Sequence, residues 1–193
     1  MDDSSDAIPI DLFVSKKNPR HRIITSNGFS LRFTDSCANL VFSVDPPPPI
    51  LKQPRLLADS SGNPLISIAH NQKGTWQGFR KNSSEEKDLM FRVERTTNTL
   101  TRLEFQVFLT NGYGNPNNES DFKMRGSPFY RSCTIYNGNS IVAQTSLMYK
   151  LGMQKVIVPR NRFRLTIFPG GYADHAFIVA LIAIFFDGRK LWI

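Results

Sequence analysis

The chain has 193 residues, a formal net charge of +8 and 40% apolar side chains. That is enough to bury one sizeable core, and the composition is too ordinary for wholesale disorder or a multi-span membrane protein. The basic balance suggests an anionic partner, such as nucleic acid, an anionic membrane surface or an acidic protein, although the same excess also serves plain solubility.

The opening MDDSSDAIPI has neither a basic n-region nor an apolar h-region, so no secretory signal is expected. Residue 2 is Asp rather than the Gly that myristoylation needs, and the terminal LWI offers no prenylation cysteine. Cys37 and Cys133 therefore read as reduced thiols in a cytoplasmic or nuclear protein. Residues 1–9 read as a disordered acidic tail, and 10–193 as a single domain. Asp2, Asp3, Asp6 and Asp11 fall in a stretch with no Lys or Arg, so the rest is more basic than the net charge implies.

Short alternating runs and turn residues follow, at the spacing of an all-β domain. Phe29, Leu31 and Phe33 alternate with polar neighbours, then DSCAN leads into LVFSV. RLLAD, SSGNP and LISIA repeat the scheme, as do SCTIY, NGN and SIVAQ. The Asn-Gly step of the last unit favours a type I′ hairpin. PPPPI at 46–50 reads as a stiff connector, and NGYGNPNNESD at 111–121 as a long polar loop. In RFRLTI, Phe163, Leu165 and Ile167 point inward and Arg162 and Arg164 outward. In FKMR, Lys123 and Arg125 point outward and Phe122 and Met124 inward.

The greasiest segment, Ala176–Phe186, is too short to span a bilayer, which takes about 20 residues, and long for a strand of about 5–6. Asp174 is placed as an N-cap, Gly188 as a stop, and Arg189 and Lys190 beside the negative helix end. A helix apolar on every face must be surrounded. The expected architecture is mainly β, a closed antiparallel barrel around a central apolar C-terminal helix at about 174–187; two short buried strands are the alternative.

Several segments resemble the LURP-one-related family of plants. They are WQGFR (76–80), KDLMFRVER (87–95), RSCTIYNGNSIVAQ (131–144) and FPGGYADHAFIVALIAIFFD (168–187), with the early hairpins ending in LVFSVD and NPLISI. The resemblance covers about residues 9–187, and its specificity lies in the order of the segments. It implies a barrel of about twelve strands closed around the helix, similar to the tubby C-terminal domain and the phospholipid scramblases. It also implies a membrane-tethered, phosphoinositide-binding protein, with transcriptional regulation and plant defence among the roles of relatives. Ala38 departs from the pattern where Gly is usual, as do the PPPP connector, the inserted Gly171, Tyr172 and Ala173, and the trailing RKLWI.

Catalysis has thin support. His21, His70 and His175 stand apart without ligand spacing, so no metal and no cofactor are expected, and no phosphate loop, nucleophile elbow or carboxylate pair occurs. Cys133, in a strand pattern, reads as a packed thiol. From Phe122 to Ala173 there is no Asp or Glu, yet the stretch holds Lys123, Arg125, Arg131, Lys150, Lys155, Arg160, Arg162 and Arg164. Of these, Lys123, Arg125, Arg131, Arg160, Arg162 and Arg164 are the candidate phosphate ligands, because guanidinium forks match phosphate oxygens. The expected partners are anionic phospholipid headgroups met by a cytoplasmic protein, peripheral at the plasma membrane, with no transmembrane span. Nucleic acid is disfavoured for want of a binding motif. The alternative is a protein-interaction module in plant defence signalling, using its loops.

Overall fold

Each alternating run forms a strand with one row of side chains buried and the other facing solvent. The protein is described here by a computed structural model, which covers residues 8–17, 29–47, 53–71, 74–99, 101–110, 119–127, 130–148, 161–170 and 174–187. Its strands are β1 (Ile10–Lys17), β2 (Ser30–Thr34), β3 (Leu40–Asp45), β4 (Arg55–Asp59), β5 (Pro64–Asn71) and β6 (Thr75–Arg80), then β7 (Leu89–Asn98), β8 (Leu103–Leu109), β9 (Phe122–Ser127), β10 (Ser132–Asn137), β11 (Ser140–Leu147) and β12 (Arg162–Ile167). A 3-10 turn, Glu86–Asp88, precedes β7, and the chain's one long helix among the described residues is α1 (His175–Asp187).

Every strand pairs antiparallel with its sequence neighbours, and β1 pairs with β12 as well as β2, so the sheet closes into a twelve-stranded barrel. Closure removes both sheet edges. All residues of α1 from Phe177 to Phe186 are buried inside it. The Phe-rich composition is spent here: Phe177 meets Phe91 and Phe122 at 5.1 and 5.3 Å, Phe185 meets Phe105 at 5.8 Å, and Phe186 meets Phe163 at 4.8 Å. Gly78 makes one of these contacts possible. A Cβ there would stand 2.1 Å from the Phe91 ring that packs on Phe177.

The helix starts as expected. The Asp174 carboxylate accepts hydrogen bonds from the Ala176 and Phe177 amides at 2.9 and 3.3 Å. Gly188, Arg189 and Lys190 lie outside the described residues, as do the core of the Pro-rich connector (48–50) and most of the polar loop (111–118).

The antiparallel order gives the barrel two distinct ends. We call the end where α1 begins the top and the end where it finishes the bottom. Two top turns are near copies of each other. In DSCAN the Asp35 carboxylate accepts the amides of Cys37 and Asn39 and the side-chain amide of Asn39. In DSSGN Asp59 does the same with Ser61 and Asn63. Both turns pass through positive φ one residue before the Asn, at Ala38 (66°) and Gly62 (85°). The third hairpin differs from the type I′ expectation. Its two-residue loop is Gly138–Asn139, with Gly138 at φ 56° in the first central position and Asn139 outside positive φ. That is the glycine-first arrangement of a type II′ turn; the pairing of Asn137 with Ser140 moves the Asn out of the loop centre.

The bottom is closed by charge. Arg55, on an inward position of β4, donates to the Asp187 carboxylate at 3.2 Å and to the Phe29 carbonyl. Trp76 Nε1 donates to the other Asp187 oxygen at 3.4 Å. The guanidinium lies 4.2 Å from the centre of the Phe29 ring, which Lys16 Nζ also approaches at 3.9 Å. Burial pulls the Arg55 guanidinium below its ordinary value, and Asp187 opposes that pull. The last helical residue is thereby tied to two strands far from it in sequence.

Candidate functional site

Strand periodicity turns the candidate cations outward as expected. Lys123 and Arg125 alternate with buried Phe122 and Met124 on β9, and Arg162 and Arg164 with buried Phe163 and Leu165 on β12. The two pairs are not adjacent. Register runs from Arg125 to Thr134, Gln144 and Thr166 on β10, β11 and β12, so Arg125 and Arg164 stand roughly 15 Å apart at ordinary strand spacing. The hairpin between them presents Thr134, Tyr136, Gln144 and Ser146.

Some of these cations are already answered. Arg125 lies 3.3 Å from Glu104, which also binds Arg102. Although desolvation pushes the Glu104 carboxyl up, these two arginines hold it below its ordinary value. Arg164 reaches Asp11 at 3.5 Å. Together with Gln144, Ser146, Thr166 and Pro9 they line a shallow cavity of about 340 Å³. Arg131 adopts a left-handed backbone (φ 55°) and packs over the Phe186 ring at 5.6 Å, at the bottom rim. Arg160 falls outside the described residues.

Other cations, not singled out from the sequence, join Arg162. Ser15 on β1 pairs with Arg162 on one side and with Arg32 of β2 on the other, and Lys17 is the next outward position of β1. Arg162 and Arg32 therefore flank one residue at about 10 Å. Arg32 is paired with Asp45 at 2.8 Å. Among the described residues no carboxylate lies within ion-pair distance of Lys17, Lys123 or Arg162.

A larger sorting of charge appears when the residues are assigned to ends. The top carries Asp35, Asp59, Glu85, Glu86 and Asp88 in its connections, then Glu119, Asp121 and Asp174, against Arg80, Lys81, Lys87 and Lys123. The bottom halves and rims carry Lys16, Lys17 and Arg162 on one side and Arg95, Arg102, Arg125 and Arg131 on the other. Its carboxylates are each engaged by an arginine: Asp45 by Arg32, Glu94 by Arg92, Glu104 by two, Asp187 by Arg55. Hairpin parity would have revealed this, since alternate connections of a meander share an end.

The remaining chemistry is quiet. Cys133 is buried, and desolvation pushes its thiol well above the ordinary range, as suits a packed side chain. His70 stacks on Trp76 at 4.6 Å. Among the described residues no three His, Cys, Asp or Glu side chains are grouped to hold a metal ion, and no helix is long and apolar enough to cross a membrane.

A twelve-stranded antiparallel barrel threaded by an apolar C-terminal helix, with a charged outer wall, is the class of protein defined by this geometry. The chain belongs to the LURP-one-related family, whose profile matches residues 10–187. It is 42% identical to Protein LURP-one-related 7 of Arabidopsis thaliana, over 94% of this chain and 91% of the relative. Protein LURP-one-related 15 of the same plant is 31% identical, over 94% and 81%. A crystal structure of an Arabidopsis thaliana protein superposes with a TM-score of 0.65 at 30% identity, covering 94% of this chain and 92% of that one.

Proposed function

We propose that this LURP-one-related protein is a non-enzymatic binder of anionic phospholipid headgroups, acting at a membrane surface. The carrying observation is the outward row Arg162–Ser15–Arg32 with Lys17 beside it, in which Arg162 and Lys17 meet no carboxylate among the described residues. Arginine forks bind phosphate bidentately, and each cation near an anionic leaflet contributes about 1 kcal/mol. Lys123, Arg125, Arg131 and Arg164 supply further positive potential; Arg164 and Arg125 exchange a carboxylate partner for a phosphate when they do so.

The test is co-sedimentation with vesicles of phosphatidylcholine alone, or with added phosphatidylserine or phosphatidylinositol bisphosphate, at low and physiological salt. A variant with Arg160, Arg162 and Arg164 changed to Gln runs alongside. Headgroup-selective binding that the variant loses supports the reading and locates it. Binding to every anionic vesicle that vanishes with salt reduces it to nonspecific basicity. No binding by the unaltered protein transfers the function to a protein-interaction module.

A further inference from the structure

We infer that the barrel meets the membrane end-on, bottom down, with Tyr130 and the arc of cations that runs from β1 through β12 to β7 against the leaflet and the acidic top facing away. This rests on the headgroup-binding reading above and adds the orientation.

The argument begins with distribution around the barrel. Lys17 and Arg162 lie on β1 and β12, whereas Arg95 and Arg102 lie on or just before β7 and β8, on the opposite side of the closed sheet. Arg125 and Arg131 occupy the sector between. No flat surface laid along the wall reaches all of these sectors. A flat surface laid across the bottom reaches them together. Glu104 is shared by two arginines, so the β8–β9 sector keeps a surplus of positive charge despite its ion pairs.

Position along the axis gives the second argument. Strands of five to ten residues separate the two ends by roughly 20 Å at about 3.3 Å per residue. The Debye length under physiological salt is only about 8 Å. The top carboxylates therefore do not cancel the attraction felt by the bottom, while they repel any leaflet that approaches the top. The third argument is Tyr130. It stands 60% exposed at the bottom, between β9 and β10 and next to Arg131. An amphipathic ring beside arginine suits the headgroup layer better than bulk water. It also favours a membrane over a nucleic acid, for which a charged arc along a barrel end offers no groove.

The experiment uses the whole chain and two fluorescent labels. Cys37 is a native exposed thiol in a top turn, and Cys133 is buried. An environment-sensitive dye on Cys37 reports the top. The same dye on Tyr130→Cys, in a Cys37→Ser background, reports the bottom. Vesicles of phosphatidylcholine with phosphatidylinositol bisphosphate carry a brominated-lipid quencher. Quenching of the bottom dye with an unquenched top dye is expected. In parallel, Arg102→Gln with Arg125→Gln should weaken vesicle partitioning by roughly 30-fold, and Arg80→Gln with Lys87→Gln, at the top, should leave it unchanged. Binding that quenches the top dye, quenches neither dye, or ignores the Arg102 and Arg125 changes while depending on Arg162 overturns the end-on orientation and leaves headgroup binding standing. Failure of the unaltered protein to bind any anionic vesicle overturns both.

Discussion

The two ends of the barrel use carboxylates in opposite ways. At the top, Asp35, Asp59 and Asp174 each bond amides within a few residues of themselves, closing a turn or starting the helix. At the bottom, Asp187 bonds Arg55 and Trp76, more than a hundred residues away. Glu104 bridges Arg102, two residues before it, and Arg125 on the next strand. These three acids at the top satisfy nearby backbone and remain in water. Acids at the bottom are absorbed by arginines, one of them in the core. A local bond lost at the top leaves an exposed, hydrated gap, while a distant bond lost at the bottom strands a charge in an apolar barrel.

The sharpest way to break the comparison is Asp187→Ala. It leaves the Arg55 guanidinium buried and uncompensated, at an expected cost of about 3–5 kcal/mol, read as a shift of the urea midpoint with an unchanged slope. A loss below about 1 kcal/mol would mean that water reaches Arg55 and the bottom is not sealed. Asp174→Ala at the other end of the same helix removes only a cap and should cost about 1 kcal/mol. Parity of the two substitutions would contradict the contrast between the ends. Smaller still is Ala38→Gly. The left-handed backbone at Ala38 is strained for an L-residue, and glycine relieves it while raising the entropy of the unfolded chain. The net gain should be about 0.5 kcal/mol, visible as a slightly higher melting temperature, and the companion Gly62→Ala should lose a comparable amount.

The last prediction concerns pH. Hydrogen bonds from the side chains and backbones of Asn39 and Asn63 hold the Asp35 and Asp59 carboxyls below their ordinary value of 3.8. Their contribution is fully present above the unfolded pKa, near pH 4, and is lost as pH falls through the depressed folded values. Urea midpoints should be flat from pH 6 to 5 and decline below about 4. Asp35→Asn combined with Asp59→Asn should blunt that decline. An undiminished acid transition in the double variant would place the sensitive groups elsewhere.

Much of the wall was legible in the residues. Strict alternation in RFRLTI and FKMR decides which side chains face inward, because a one-residue slip would expose every Phe and Leu of the strand. The helix was legible because an eleven-residue apolar run between a capping Asp and a glycine has few other solutions. The NGN turn was misjudged by one position, since the pairing register of the flanking strands, set by a bulge between Ile135 and Tyr136, decides which residues form the loop. The candidate site was legible only as a set of types. Lys123 and Arg125 are two residues apart on one face, yet one lies toward the acidic top and the other toward the basic bottom, against Glu104.

What the sequence determined by itself was local: the alternation that makes strands, the carboxylate-amide turns, the cap of α1, and a helix so apolar that it had to be enclosed. Which charges act together was decided only by closure of the barrel. Antiparallel pairing carries successive connections to opposite ends, so residues adjacent in the chain are separated and residues far apart are collected on one rim. Coulomb interactions depend on those distances in space, and the distances exist only once β1 has met β12.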